Sequence, residues 1–434
     1  MVIIAPELFS EDLQPLIDHK NIHGVQTFLK TTEEIYDNYA GRDKAEQIKY
    51  FIKDALEQLN ITYVLLIGGR QGQSFNWFVP VRYSNNRFYL QDNDFYHKKF
   101  ISDLYFADIY KETGEFEDWD SDGDSIFAEW KDGGLPEDSI DLIPDVCLGR
   151  LPCRSKGEVK IVVDKIIQYE NNVFGQDWLK NILLVGGDSF PGIGAPFPFE
   201  GEVSCDWVMQ YLEEFTPTKM YTSDGTLTGI DDFISAFNNG YGIVLFHGHG
   251  NQNKIFTYLP DSQEKISVFH NNQFKRIQNK DKLPITIVGC CITTTFDVGI
   301  LNFLTVFKNL KKYAHFFSFI DGCITNCFGW NMVKKSDGGS IAYIGSSSTA
   351  YLTVGDSNND GIPDLVQTGY TTGLCNELFK VFGEDEKKIL GNIFRNSLSN
   401  IIENHSAQSN WGQCKCVQEF MLIGDPSLKI GGYS

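Results

Sequence analysis

A chain of 434 residues that is 42% hydrophobic and 14% aromatic can bury the core of two domains or of one large two-part unit, and this excludes disorder over most of its length. Its 37 Lys and Arg against 57 Asp and Glu give a formal net charge of -20, which excludes a general nucleic-acid binder because phosphate neutralisation needs clustered cations. Calcium or a basic substrate suits such a field. The ten cysteines are sparse, include the adjacent pair Cys290 and Cys291, and do not read as a disulfide framework. No apolar run approaches the roughly 18 residues of a membrane span. The start Met1-Val2-Ile3-Ile4-Ala5-Pro6 lacks the basic and long apolar segments of a signal peptide, so the chain as given reads as soluble and cytoplasmic.

In chain order, residues 2–5 and 25–29 read as short strands, 43–59 carries apolar residues at helical spacing, and 61–67 is a further buried strand. Strand, helix, strand in succession predicts a parallel sheet. A polar, acidic, aromatic stretch over 91–145 interrupts the series, and a helix over 156–171 resumes it with Val159, Val162, Val163, Ile166 and Ile167 on one face. A second series follows: strand 182–185, amphipathic helix 202–215, strand 218–221, helix 230–237, two apolar strands described next, helix-like segments, and strand 339–344. Two mainly parallel sheet units side by side, flanked by helices, fit better than one very wide sheet. The expected division is an N-terminal α/β subdomain over 1–172, carrying the acidic insertion, and a second α/β subdomain over 173–434.

Two apolar runs end in reactive side chains. One is Gly242-Ile243-Val244-Leu245-Phe246-His247-Gly248-His249-Gly250, the other Pro284-Ile285-Thr286-Ile287-Val288-Gly289-Cys290-Cys291. Chemistry in open α/β sheets collects beyond the carboxyl ends of the strands, so neighbouring strands would bring a His and a Cys together although about forty residues separate them. A histidine base beside a cysteine favours its thiolate, and Gly248, Gly250 and Gly289 allow close backbone approach to a substrate. The rival reading is metal: His247 and His249 stand two apart on extended chain, and with Cys290 or Cys291 they would form a zinc site. Gly68-Gly69-Arg70-Gln71-Gly72 follows a strand but lacks phosphate-loop spacing and reads as a turn.

Leu245 to Asn251, Ile287 to Cys291 followed by Phe296-Asp297, and Leu422-Ile423-Gly424-Asp425-Pro426-Ser427-Leu428 resemble the gingipain-type cysteine peptidases, relatives of caspases. Pro144 to Pro152, the helix around Asp164 to Glu170, and Gly338 to Ser346 extend the resemblance over nearly the whole chain. It implies a caspase-like α/β fold and peptide or protein substrates. It implies that His249, in the Gly-His-Gly turn, is the base, that Cys291, five residues before the aromatic-Asp pair, is the nucleophile, and that Asp188 orients the histidine. It also implies export or surface display. Where the family often carries Gly after the nucleophile, this chain has Ile292-Thr293-Thr294-Thr295; where Arg- and Lys-cleaving members carry an acid, it has Pro198, with Glu200 nearby.

Asp118-Trp119-Asp120-Ser121-Asp122-Gly123-Asp124 with Glu129 has the donor spacing of an EF-hand-type calcium loop, with Gly at the sharp turn. Asp356-Ser357-Asn358-Asn359-Asp360-Gly361-Ile362-Pro363-Asp364 places donors Asp356, Asn358, Asp360 and Asp364 in a second such pattern. Calcium is expected to be structural. The expectation is therefore a calcium-stabilised cysteine endopeptidase, with a non-catalytic calcium-stabilised binding module of the same fold, or a His-x-His zinc hydrolase, as the other readings.

Overall fold

Short apolar runs bounded by polar turns fold as the strands their composition implies. A computed structural model describes residues 1–86, 99–130, 135–298, 326–385, 388–405 and 407–434. Its strands are β1 (Val2–Ala5), β2 (Phe28–Thr31), β3 (Tyr63–Ile67), β4 (Tyr83–Ser84), β5 (Phe100–Ile101), β6 (Cys147–Leu151), β7 (Asn181–Gly186), β8 (Thr216–Tyr221), β9 (Ile243–His247), β10 (His249–Gly250), β11 (Lys254–Tyr258), β12 (Lys265–His270), β13 (Ile285–Gly289), β14 (Ala342–Ser346) and β15 (Phe420–Ile423). Ten of them form one sheet in the order β2-β1-β3-β6-β15-β14-β13-β9-β7-β8. Every pairing in it is parallel except β14 with β15. The central strands β1, β3, β9, β13 and β14 are buried almost throughout, which is why they read as apolar runs instead of alternating ones, and β6 is equally buried although it carries Arg150.

The two units lie side by side, but they share this one sheet instead of forming two. β2, β1, β3 and β6 come from before residue 172, the other six from after it, and β6 meets β15 through one parallel pair, Arg150 with Ile423. Buried polar groups fasten the join. Lys165, on the helix Lys156–Asn172, donates to the carbonyls of Val333, Lys335, Gly338 and Ser340 at 2.6–3.1 Å. Lys20 pairs with Glu170 at 2.8 Å and with Asp425 at 2.7 Å, all three side chains fully or almost fully buried. Removing one partner of such a pair leaves an uncompensated buried charge and costs about 3–5 kcal/mol.

The helix Lys44–Leu59 begins where Asp43 accepts the Glu46 N–H at 3.0 Å and ends at Asn60 in the left-handed region. Lys156–Asn172 starts in the same way from Ser155, with Val159, Val162, Val163 and Ile166 buried and Ile167 half-buried. The helix expected over 202–215 is shorter, Glu200–Trp207 followed by a tighter turn over Val208–Tyr211. Part of the polar stretch over 91–145, and the segment 299–325 where helix-like pattern was read, lie outside the described residues. Helices Thr371–Glu384 and Leu390–His405 pack on each other in the C-terminal part.

Candidate active site and metal loops

β9 and β13 are parallel neighbours in register from Ile243 with Ile285 to His247 with Gly289, so the histidine and cysteine segments leave the sheet together at the carboxyl ends. The turn after β9 brings Gly250 against the turn after β13. A Cβ at position 250 would lie 2.3 Å from Cys290 Sγ and 3.0 Å from the Cys291 carbonyl oxygen, so only glycine permits this approach. Cys290 is buried, and Cys291 is the partly exposed residue of the pair. Cys291 Sγ lies 3.7 Å from the Ala350 carbonyl, and burial pushes its pKa up to about 11.

His249 is held by its surroundings in one orientation. Its ring stacks on Phe256 at 5.3 Å and meets Phe190 and Tyr258 edge-on at 5.5 and 5.6 Å. Nε2 lies 2.7 Å from the Ser189 carbonyl oxygen. A carbonyl only accepts, so Nε2 carries the proton and Nδ1 keeps the lone pair, the nitrogen free to act as base. Burial lowers the His249 pKa against a smaller opposing effect of the Ser189 carbonyl.

Asp188 does not orient the ring directly. Its carboxylate accepts the Phe190 N–H at 3.0 Å, and its carbonyl accepts from the Tyr258 N–H and the Thr257 hydroxyl at 3.0 and 2.8 Å. That turn aims the next carbonyl, of Ser189, at His249. Glu200 completes it, accepting from Ser189 N–H at 3.0 Å and Phe190 N–H at 3.3 Å. Glu200 therefore builds the loop that holds the imidazole. These backbone partners were not legible in the sequence, because a carbonyl's role leaves no residue-type signature. Phe256 and Tyr258 left a weaker one, alternate positions on a strand that starts soon after His249.

His247 differs from its neighbour two residues on. It is 1% exposed, and burial lowers its pKa to about 4, so it stays neutral. Its ring lies across Gly289, where a Cβ would be 2.1 Å from Nδ1. Among the described residues, the side-chain clusters able to hold a metal are both all-carboxylate, and neither contains His247, His249 or a cysteine. The His-x-His zinc arrangement is not assembled.

The turn after the thiol is tied down on several sides. Ile292 N–H donates to the Ser348 carbonyl at 2.8 Å and Thr294 N–H to that of Ser346 at 3.1 Å. Ile292 stands at φ +59°, a region where a β-branched residue is strained and glycine is not. This is the stretch where the family often has Gly. The Phe296-Asp297 pair anchors the same turn to the N-terminal unit: Tyr83 OH donates to Asp297 at 2.8 Å, and Arg154 donates to the Phe296 and Val298 carbonyls at 2.8 and 2.7 Å.

The model of peptidase family C25 matches residues 1–431. The chain belongs to that family. Gingipain R2 of Porphyromonas gingivalis is 20% identical over 99% of this chain and 46% of its own length. Lys-gingipain of the same organism is 26% identical over 49% of this chain and 10% of its own. The C25 chain thus spans at most about half of these relatives. A crystal structure of the Arg-specific cysteine proteinase gingipain R superposes with a TM-score of 0.66 at 19% identity, covering 99% of this chain and 78% of that one, which shows the shared fold.

Elsewhere in this C25 chain the acidic loop gathers only part of its expected donor set. Oxygens of Asp120, Asp122 and Asp124 converge within 4.8 Å, a group that contains neither Asp118 nor Glu129. Arg42 pairs with Asp118 and Asp120, and Asp138 accepts the Ser121 and Glu129 N–H groups at 2.6 and 2.8 Å, stitching the loop's two ends. In the second loop Asp356, Asp360 and Asp364 form no convergent cluster. Asp356 accepts the Asp360 and Gly361 N–H groups, Asn358 accepts that of Asp360, and Asp364 accepts that of Ser357, so these donors close a turn on their own backbone. Among the described residues no helix is long and apolar enough to cross a membrane.

Proposed function

We propose that this chain is a cysteine endopeptidase acting by acyl transfer through Cys291 and His249. The observation that carries the reading is the register of β9 and β13, which sets Gly250 against the Cys290-Cys291 turn, in a chain that belongs to a peptidase family. Cys291 Sγ attacks the peptide carbonyl while His249 Nδ1 takes the thiol proton, then passes it to the leaving amine; water later releases the acyl group. Asp188 and Glu200 act at one remove, through the Ser189 carbonyl. The backbone N–H groups of Gly250 and Cys291 are the candidate oxyanion donors. A preference for Arg or Lys before the cut gains no support from Glu200, which is buried and whose Oε2 accepts from the Ser189 and Phe190 N–H groups.

A peptidyl electrophile directed at cysteine tests the reading. Stoichiometric labelling at Cys291, lost in His249→Ala, is expected; labelling spread evenly over several cysteines, with no cleavage of any member of a mixed peptide library, would instead indicate a non-catalytic module.

Calcium bound at the acidic loop is structural in this proposal. Asp120, Asp122 and Asp124 supply its convergent oxygens, with Asp118 and Glu129 at the ends of the loop. The net charge favours the cation, and binding at 100 times the dissociation constant adds roughly 2.7 kcal/mol of stability. Asp122 and Asp124 are exposed and cap only their own turn. Asp122→Asn with Asp124→Asn should therefore lose most of the loop's share of the calcium-dependent rise in melting temperature while keeping the dyad. A rise as large as the parent's would leave the loop a solvated turn.

A further inference from the structure

Close to the nucleophile turn, a lysine and a glutamate are buried together. Lys415 and Glu419 stand four apart on the helix Trp411–Glu419, so they share one face of it, and their charged groups form an ion pair in which both side chains are 0% exposed. The Lys415 ammonium also lies over the rings of Phe100 and Tyr351, 4.8 and 5.3 Å from their centroids. Glu419 Oε1 is buried with no hydrogen bond. Stability does not explain such a pair, because apolar residues of similar volume fill the same space without the cost of desolvating two charges.

What the pair holds is the segment that faces Cys291. β14 ends at Ser346, and the chain beyond it is tied down in turn. Ser347 N–H donates to the Glu419 carbonyl at 2.9 Å, and the Ser347 carbonyl accepts from the Thr295 hydroxyl at 2.6 Å. The Ser348 carbonyl accepts the Ile292 N–H, and the Thr349 carbonyl accepts from Lys415 Nζ at 2.7 Å. The next carbonyl, of Ala350, accepts from the Cys291 thiol at 3.7 Å. Lys415 is thus one peptide unit away from the atom that fixes the thiol. The two charges also reach Cys291 through space: after the larger effects of burial and the Ala350 carbonyl, Glu419 raises the thiol pKa and Lys415 lowers it.

We propose that Lys415 and Glu419 are positioning residues for the nucleophile: Lys415 holds the Thr349 carbonyl and so keeps the Ala350 carbonyl on Cys291, while Glu419 holds Lys415 and balances its charge near the thiol. This rests on the reading of Cys291 as the nucleophile. A nucleophile works only over a narrow range of positions, and a misplacement of about 1 Å costs on the order of 10²-fold. An ammonium suits the task, since its three donors meet a carbonyl and a carboxylate at once while the two rings accept the rest of its charge. With the glutamate neutralised, the ammonium keeps its carbonyl but loses its counter-charge, and a thiolate nearby becomes the group that balances it. With both residues neutral, the carbonyl loses its donor.

Two variants of the full chain test the two parts. The first is read at pH 9, where Glu419 is ionised in the parent because burial pushes its pKa up only to about 7. There Glu419→Gln leaves the Lys415 charge unbalanced, so iodoacetamide should alkylate Cys291 about threefold faster or more, the gain in thiolate when a thiol's pKa falls by about half a unit. Mass spectrometry of the Cys291 peptide gives the rate. Lys415→Met with Glu419→Gln removes both charges without stranding either and strips the Thr349 carbonyl of its donor; kcat of the folded protein should fall about tenfold or more, with a smaller change in KM. An alkylation rate in Glu419→Gln that is unchanged or slower overturns the proposal, and so does an unchanged kcat in the double variant. A lowered melting temperature with neither effect would mark the pair as packing alone. If one variant does not fold, the other decides. If Cys291→Ala still hydrolyses peptides, the peptidase reading fails by itself, and the alkylation rates still test whether the pair governs that thiol.

Discussion

Cys291→Ala is expected to lower peptide hydrolysis on the order of 10⁴-fold or more, because the acyl-enzyme route is lost and only binding and oxyanion contacts remain. Cys290→Ala should keep most of the activity. Its thiol is buried against Gly250, and its loss costs packing alone. The opposite order in kcat/KM for the two variants would reverse the assignment.

The same thiol carries a sharper expectation. Burial pushes its pKa up to about 11, so Cys291 is held as the thiol at pH 7. His249 is also uncharged there, since burial lowers its pKa. The resting pair is therefore thiol and imidazole, and His249 must take the proton during attack. Iodoacetamide should alkylate Cys291 slowly at neutral pH and faster with each unit toward alkaline pH. A rate already at its plateau below pH 8 would mean a preformed thiolate-imidazolium pair.

How much of this was legible in the sequence varies with physical cause. The strands with continuous apolar runs, β1, β3, β9 and β13, announced themselves because both faces are buried. β10 to β12 went unread although Lys254–Tyr258 alternates buried and half-buried, and so did Leu390–His405, whose Ile393, Phe394, Leu398, Ile401 and Ile402 keep helical spacing. Those were patterns present and passed over. The continuity of the sheet had no such pattern, since β6 and β15 meet through one residue pair nearly three hundred positions apart. At the site, side-chain chemistry was readable and backbone chemistry was not. Cys291 and His249 could be named from residue type and resemblance, whereas the Ser189 carbonyl, and Glu200 behind it, emerge only once the chain is folded.

His249→Ala should cost about 10²–10⁴-fold in kcat/KM, the range for a positioned general base. The geometry explains why this residue, and not His247, has the larger effect on chemistry. The Ser189 carbonyl accepts a hydrogen bond from Nε2–H, which leaves the Nδ1 lone pair free, and three aromatic rings prevent the imidazole from turning away. His247 lies buried across Gly289, so His247→Ala should act through packing, lowering the melting temperature more than it lowers the specific activity of the folded fraction. The pH profile adds a readout that packing would not move. A base works only when neutral, and a pKa lowered from 6.5 keeps His249 neutral into more acid solution, so the acid limb of kcat/KM should fall below pH 6.5. Glu200→Gln keeps the shape of the side chain but weakens its hold on Ser189 N–H and Phe190 N–H; it should lower kcat more than it raises KM. Equal losses from His247→Ala and His249→Ala in fully folded protein, or an acid limb above pH 6.5 in the parent, would show that the imidazole beside Ser189 is not the base.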